Sequence, residues 1–130
     1  MRTTKIAALA VAAAIPVLGT AGIASAAIVD QYDHVTYVFC ADTATASNEV
    51  SYYDSYGRRE QVNVSLTEAV GGARHCGSTS YTEYDEYGGY VGSSIVNEDS
   101  TYVYCAIYNN GRKVAESEDH STYGYSFATC

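Results

Sequence analysis

Leucine is almost missing from this chain beyond residue 26, and its absence restricts the fold more than any motif does. Leu66 is the only leucine there, whereas all 14 tyrosines lie in this region among many valines, serines and threonines. A helical core needs leucine, methionine and alanine at 3.6-residue spacing, and no segment shows that periodicity. Short alternating runs of valine, threonine and tyrosine are typical of strands. The sequence therefore predicts an all-β fold.

Residues 1–26 have the pattern of an export signal. A positively charged start precedes an uncharged apolar run, and a small-x-small cleavage sequence ends at Ala26. We therefore expect the leader to be removed, leaving a single secreted domain over residues 27–130 in an extracellular setting. The alternative is that residues 6–29, which carry no charge, stay uncleaved and anchor the protein in the cell membrane.

The predicted mature chain is strongly acidic. Arg2 and Lys5 leave with the leader, so five of the seven basic residues remain against fifteen acidic ones, a formal charge of −10. Such a surface repels phosphate backbones and anionic lipid headgroups, which argues against nucleic acid as a partner. Solubility explains the acidity most simply, and a cationic partner or calcium is the alternative.

Acidic clusters in three predicted loops are the candidates for a calcium site. None of them has the D-x-D-x-D-G spacing of a known calcium loop, so we predict solvated loops, no metal and no cofactor. The clusters are Glu83, Asp85 and Glu86; Glu98 and Asp99; and Glu116, Glu118 and Asp119.

About seven short strands are predicted, with a turn every ten residues or so. The clearest alternation runs from Thr101 to Tyr108, with Val103, Cys105 and Ile107 on one face. An Asn-Gly pair follows and predicts a tight hairpin turn, and residues 54–57, with aspartate first and glycine last, predict a β-turn. This spacing of strands and turns is typical of a two-sheet β-sandwich. The other strand candidates are His34–Cys40, Glu49–Tyr53, Gln61–Leu66, Ser78–Thr82, Tyr90–Val96, Lys113–Glu116 and Ser121–Cys130.

Four cysteines in an exported chain of this size indicate a disulfide framework. Their spacing lacks the C-x-x-C pairs that zinc ribbons need. Four cysteines allow three connectivities, and spacing alone does not choose among them. We predict the sequential pairing, Cys40 with Cys76 and Cys105 with Cys130. Each bridge would stabilise the fold by about 3–4 kcal/mol through the entropy of the unfolded chain.

A series of short motifs runs through the C-terminal third: Ser94-Ile95-Val96, then Cys105-x-Ile107, then Gly111–Glu116, and a closing Cys130. This part of the chain resembles the MmpS family of mycobacterial envelope proteins, small accessory partners of lipid and siderophore exporters. Three motifs of the N-terminal half extend the likeness over most of residues 35–130. They are Val35-Thr36-Tyr37, Val50-Ser51-Tyr52 and Gln61-Val62.

The resemblance implies an immunoglobulin-like β-sandwich outside the membrane, a disulfide joining Cys105 to Cys130, an envelope transporter as partner, and no catalysis. The chain departs from the family in three ways. Cys40 and Cys76 are additional, the family's tryptophan is absent, and the N-terminus has the pattern of a cleavable leader rather than an anchor.

The residues themselves also give no catalytic constellation. No serine lies in the glycine pattern of a nucleophile elbow. His75 and Cys76 are adjacent, and adjacent side chains of a strand point to opposite faces, so we expect Cys76 to be disulfide-bonded. We expect His34 and His120 to be exposed beside strands. An enzyme would require one of these histidines to meet a serine or carboxylate in a pocket, and we predict no enzyme.

Tyrosines are the candidate recognition groups. We predict a partner surface formed by Tyr102, Tyr104 and Tyr108, which share one strand face, since tyrosine is enriched in binding faces. The alternative is that tyrosines fill the core in place of leucine and phenylalanine. The predicted function is a non-catalytic binding or accessory module of the cell envelope with a protein partner. The alternative is a secreted inhibitor of an extracellular hydrolase that presents the loop Asp54–Arg59 or Tyr84–Tyr90.

Overall fold

The computed structural model describes residues 27–44, 47–72 and 74–130, and within them it contains eleven short strands. The predicted leader, residues 1–26, lies outside the described residues. The strands are β1 (Ala27–Val29), β2 (His34–Ala41), β3 (Asn48–Tyr53), β4 (Arg59–Val64), β5 (Glu68–Val70), β6 (Arg74–Thr82), β7 (Gly89–Val91), β8 (Ser93–Asn97), β9 (Tyr102–Asn109), β10 (Arg112–His120) and β11 (Ser126–Thr129).

The strands form two main antiparallel sheets that face each other. The order in the larger sheet is β10-β9-β2-β6-β5, and in the smaller one β11-β8-β3-β4. A two-stranded sheet of β1 and β7 lies beside them. The predicted all-β class and its sandwich arrangement are therefore confirmed.

The core lies between the sheets and is built largely from alternate residues of the two central strands. Val35, Tyr37 and Phe39 of β2 are buried, as are Val103, Cys105 and Ile107 of β9. The opposite sheet contributes Val50, Ile95 and Ala128. The Tyr37 ring packs against Tyr52 across the two sheets, with ring centroids 5.4 Å apart. The face predicted from the alternation of β9 is thus the face that fills the core.

More strands form than the seven or so that the sequence predicts. β5 has no buried side chain, so its pairing with β6 rests on backbone hydrogen bonds that leave no apolar pattern. The single strand expected from Tyr90 to Val96 is divided at Gly92 into β7 and β8, which belong to different sheets. β10 continues to His120 through residues expected to be a solvated loop.

Both disulfides follow the sequential pairing. Cys40 and Cys76 lie directly opposite each other on β2 and β6, with Cα atoms 4.1 Å apart. Cys105 of β9 is bonded to Cys130, which follows β11, and their Cα atoms are 6.1 Å apart. The first bridge therefore links neighbours within one sheet, whereas the second joins the two sheets through the core.

The alternative membrane anchor, residues 6–29, is described only over its last three residues. These form β1, and the side chain of Val29 is buried. Within residues 27–44, 47–72 and 74–130, no helix is long and apolar enough to cross a membrane.

Candidate recognition surface

The three tyrosines predicted as a partner surface lie on β9, but they do not form one open face. Tyr104 and Tyr108 are half-buried, and Tyr102 is only 7% exposed. The expectation of an open surface is therefore wrong at Tyr102. A role for Tyr104 and Tyr108 in binding stays a prediction.

Tyr102 is covered by side chains from two other strands of its sheet, β10 and β6. His120 is its directly opposite neighbour on β10, and the two rings lie 4.9 Å apart. From β6, the guanidinium of Arg74 lies 4.2 Å from the centre of the Tyr102 ring, a cation–π distance. Burial and the nearby Glu118 carboxylate raise the pKa of the Tyr102 phenol. Tyr102 thus belongs to a packed surface cluster.

Five exposed tyrosines gather instead at one end of the sandwich, four on loops and one on the short strand β7, and we call this region the tyrosine loop end. Their exposed fractions run from 63% at Tyr90 to 87% at Tyr87. They come from the turn before β2, the turn between β3 and β4, the loop between β6 and β7, and β7 itself. The tyrosine loop end consists of Tyr32, Tyr56, Tyr84, Tyr87 and Tyr90.

The turn that carries Tyr56 is fixed by Asp54. The Asp54 carboxylate accepts the backbone N–H groups of Tyr56 at 2.8 Å and of Arg58 at 2.9 Å, and it forms an ion pair with the Arg58 guanidinium at 2.9 Å. Gly57 closes the turn with a positive φ of 73°, which a glycine adopts without steric cost. The guanidinium of Arg58 lies 5.2 Å from the centre of the Tyr56 ring. The predicted turn over residues 54–57 is confirmed.

The loop that carries Tyr84 and Tyr87 is closed by similar bonds. The side chain of Asp85 accepts the N–H of Tyr87 at 2.8 Å, and its carbonyl accepts the N–H of Gly88 at 2.9 Å. Gly88 has a φ of 77°, and a side chain there would bring Cβ within 2.1 Å of the Val29 carbonyl oxygen. Only glycine fits this position, so the sequence itself keeps the loop close to β1.

The turn before β2 connects the Tyr84 loop to the rest of the tyrosine loop end. Tyr32 donates its N–H to the carbonyl of Glu83 at 2.6 Å, and its ring meets the Tyr84 ring edge-on at 6.3 Å. Asp33 accepts the side-chain amides of Asn109 and Asn110, each at 2.8 Å. These bonds lower the pKa of Asp33, the Asn109 amide contributing most. The hairpin predicted at the Asn-Gly pair is confirmed, with a positive φ at Asn110.

A cavity of about 410 Å³ opens between the Tyr56 turn and the Tyr84 loop. Tyr56, Tyr84 and Tyr90 line it together with Glu83 and Asp85. Glu83 is only 3% exposed, and its Oε1 accepts the N–H of Asp85 at 3.0 Å. The chemistry of the cavity is therefore aromatic and acidic.

The histidines do not meet at one site. His34 and His75 belong to opposite ends of the β2 ladder, since His34 pairs with Thr82 and Ala41 pairs with His75. His120 lies against Tyr102. As for the acidic loops, no group of three or more histidine, cysteine or acidic side chains in the described ranges could hold a metal ion.

Sequence reasoning named both loops of the tyrosine loop end separately, as alternative inhibitor loops, but not their convergence. The tyrosines at three-residue spacing beside Gly88 and Gly89 were the available signal. Tyr32 and the burial of Glu83 were missed, because both depend on contacts between segments distant in sequence. Comparison of the chain with protein-family models, with curated proteins and with solved structures finds no match.

Proposed function

We propose that this protein is a non-catalytic, exported β-sandwich that serves the cell envelope as a binding or accessory module, with the tyrosine loop end as its contact surface. The observation that carries the proposal is the group of five exposed tyrosines, four on hydrogen-bonded loops and Tyr90 on the adjoining strand β7. The resemblance to the MmpS family supports the accessory role and a transporter as partner. The two disulfides are in keeping with an oxidising compartment.

The physical basis of the proposal is the low cost of ordering such a surface. Tyrosine supplies a large rigid contact area with few rotatable bonds, which is why it is frequent in binding faces. Loops already fixed by Asp54 and Asp85 lose little further freedom when a partner binds. Contiguous exposed aromatic rings also mark interaction sites on soluble domains.

A pair of double variants tests the proposal. Tyr84→Ser/Tyr87→Ser removes two rings of the tyrosine loop end, and Tyr123→Ser/Tyr125→Ser removes two exposed rings between β10 and β11 as a matched control. The protein is produced in its native host, cross-linked in intact cells and fractionated. We expect it to co-fractionate with membranes in a cross-linked complex whose yield falls about tenfold or more in the first variant only. Equal yields for both variants would contradict the proposal.

The second candidate is a secreted inhibitor of an extracellular hydrolase, which the fixed loop 83–88 with its exposed Tyr87 favours. An inhibitor should abolish the activity of its target at a 1:1 ratio, and Tyr87→Ser should relieve the inhibition. Titration of the purified protein into secreted proteases and glycosidases of the same organism measures this. An accessory module leaves all these activities unchanged and stays with the membrane fraction.

A further inference from the structure

The buried carboxylate of Glu83 lacks a cationic partner. Glu83 is 3% exposed and lies in the wall of the aromatic cavity. Its Oε1 accepts one backbone N–H, from Asp85, whereas its Oε2 accepts no hydrogen bond from any described residue. Nor does any basic side chain of the described residues form an ion pair with it. Oε2 keeps contact with the cavity, so a cation or further donors from a ligand can reach it and offset the cost of burying the carboxylate.

The sequence maintains this arrangement through Gly89. A side chain at Gly89 would place Cβ 2.2 Å from Oε2 of Glu83, so the carboxylate occupies the space that any other residue would fill. Gly89 itself lines the same cavity. Glycine at this position therefore leaves room for the carboxylate where it stands at the cavity wall.

The rest of the cavity suits a cation. Tyr56, Tyr84 and Tyr90 line it, and a tyrosine ring attracts a cation over its face. The turn already shows this contact, since the Arg58 guanidinium lies over Tyr56. The charge of Arg58 is matched by Asp54, to which it is ion-paired, so it does not compensate Glu83.

We propose that this cavity receives the basic side chain of an arginine or lysine from the protein partner, with its cation against Glu83 and its stem across the tyrosine rings. The volume, about 410 Å³, falls within the range of about 300–1,000 Å³ that is usual for ligand pockets. The excess of acidic residues attracts a basic partner from a distance. The inference rests on the proposed function for the partner, but the preference for a cation can be measured without it.

The test is an NMR titration of the ¹⁵N-labelled exported protein with N-acetyl-arginine amide. The matched probe is N-acetyl-citrulline amide, which has nearly the same shape but no charge. We expect saturable shifts of the backbone amides of Asp85, Gly88 and Gly89 with the arginine probe, and at least about fivefold weaker binding of the citrulline probe. Equal binding of both probes, or no shift with either, would overturn the inference.

Three variants locate the binding. Glu83→Gln removes the charge but keeps an oxygen for the Asp85 N–H, and we expect it to weaken the arginine probe about fivefold or more. Glu68→Gln makes the same charge change on the exposed edge strand β5 and should leave binding unchanged. If Glu83→Gln fails to fold, Tyr56→Leu provides a second test, because position 56 is 81% exposed and the change should leave the fold intact. We expect Tyr56→Leu to weaken binding of the arginine probe about threefold.

The outcome separates this inference from the proposed function. If the tyrosine double variant loses the cross-linked complex while the arginine probe does not bind, the tyrosine loop end is the contact surface, and the proposal that its cavity receives a basic side chain is wrong. If the probe binds and the double variant keeps its complex, the cavity takes a cation but the tyrosine loop end is not the surface that holds the partner.

Discussion

Tyrosines are buried in one region of this molecule and exposed in another. Between the sheets, Tyr37 is fully buried and packs against Tyr52 and Tyr81 at 5.4 and 6.2 Å, where a leucine-rich protein would place aliphatic side chains. At the tyrosine loop end, rings such as that of Tyr87 contact solvent over most of their area. The residue type is the same, and only the backbone that carries it differs.

This contrast shows how a chain with one leucine beyond residue 26 can both fold and bind. Rings on strands replace the missing aliphatic core, because alternate strand positions point between the sheets. Rings on loops have no sheet to cover them, and backbone N–H groups that donate to the Asp54 and Asp85 carboxylates fix the backbone instead. Removing a ring should therefore affect stability in the first region and recognition in the second.

Of the variants that test this comparison, Tyr37→Ala should lower the free energy of unfolding most. Truncating a fully buried ring that contacts two others leaves a cavity, and we expect unfolding to become easier by about 3–5 kcal/mol. Tyr87→Ala is the matched control, and its effect should stay within about 0.5 kcal/mol. Urea unfolding with both disulfides intact measures the two values. Similar losses in both variants would show that the loop ring is part of the core.

The alternation of buried residues on β2 and β9 could be predicted from the sequence, because each strand buries one face against the other sheet. The edge strand β5 could not, since Glu68–Val70 are all exposed and pair through backbone atoms alone. The break at Gly92 was also missed, because a glycine in an apolar run does not reveal that its two sides join different sheets.

The candidate site could be predicted only in pieces. Local signals identified the turn at Asp54 and the loop from Tyr84 to Tyr90, because turn chemistry depends on neighbouring residues. Their meeting around Glu83 depends on the order of strands, which local patterns do not give. For the same reason Tyr102 was expected on an open face, since only the sheet order shows that Arg74 and His120 cover it.

Tyr102→Ala should lower the free energy of unfolding less than Tyr37→Ala does. Tyr102 is almost as buried as a core residue, but it lies on the outer side of β9 under Arg74 and His120. Loss of this packing and of the cation–π contact should cost about 2 kcal/mol in the free energy of unfolding. Tyr104→Ala, half-buried on the same face, should cost less. A Tyr102→Ala variant of unchanged stability but impaired partner binding would restore the surface predicted from the sequence.

Asp42→Asn should give the smallest of the three effects, and one that depends on pH. The Asp42 carboxylate accepts hydrogen bonds from Ser100 and Thr101, which lead into Tyr102, and the Thr101 hydroxyl lies 2.5 Å away. Partial burial would raise the pKa of Asp42, but these bonds outweigh it and lower the pKa. The variant should lose about 1 kcal/mol of unfolding free energy at neutral pH.

The sign of the pH dependence follows from that lowered pKa. Because the folded protein holds Asp42 ionised more strongly than the unfolded chain does, its stabilising contribution is complete above the unfolded value of about 3.9 and is lost as the pH falls through the folded value. The difference between wild type and Asp42→Asn should therefore be constant from pH 7 to about pH 5 and shrink below pH 4. Asp99→Asn, at an exposed carboxylate in the turn that carries Ser100 and Thr101, is the control for a simple change of charge. If the stability difference between wild type and Asp42→Asn persists at low pH, the hydrogen bonds of Asp42 and not its charge stabilise the start of β9.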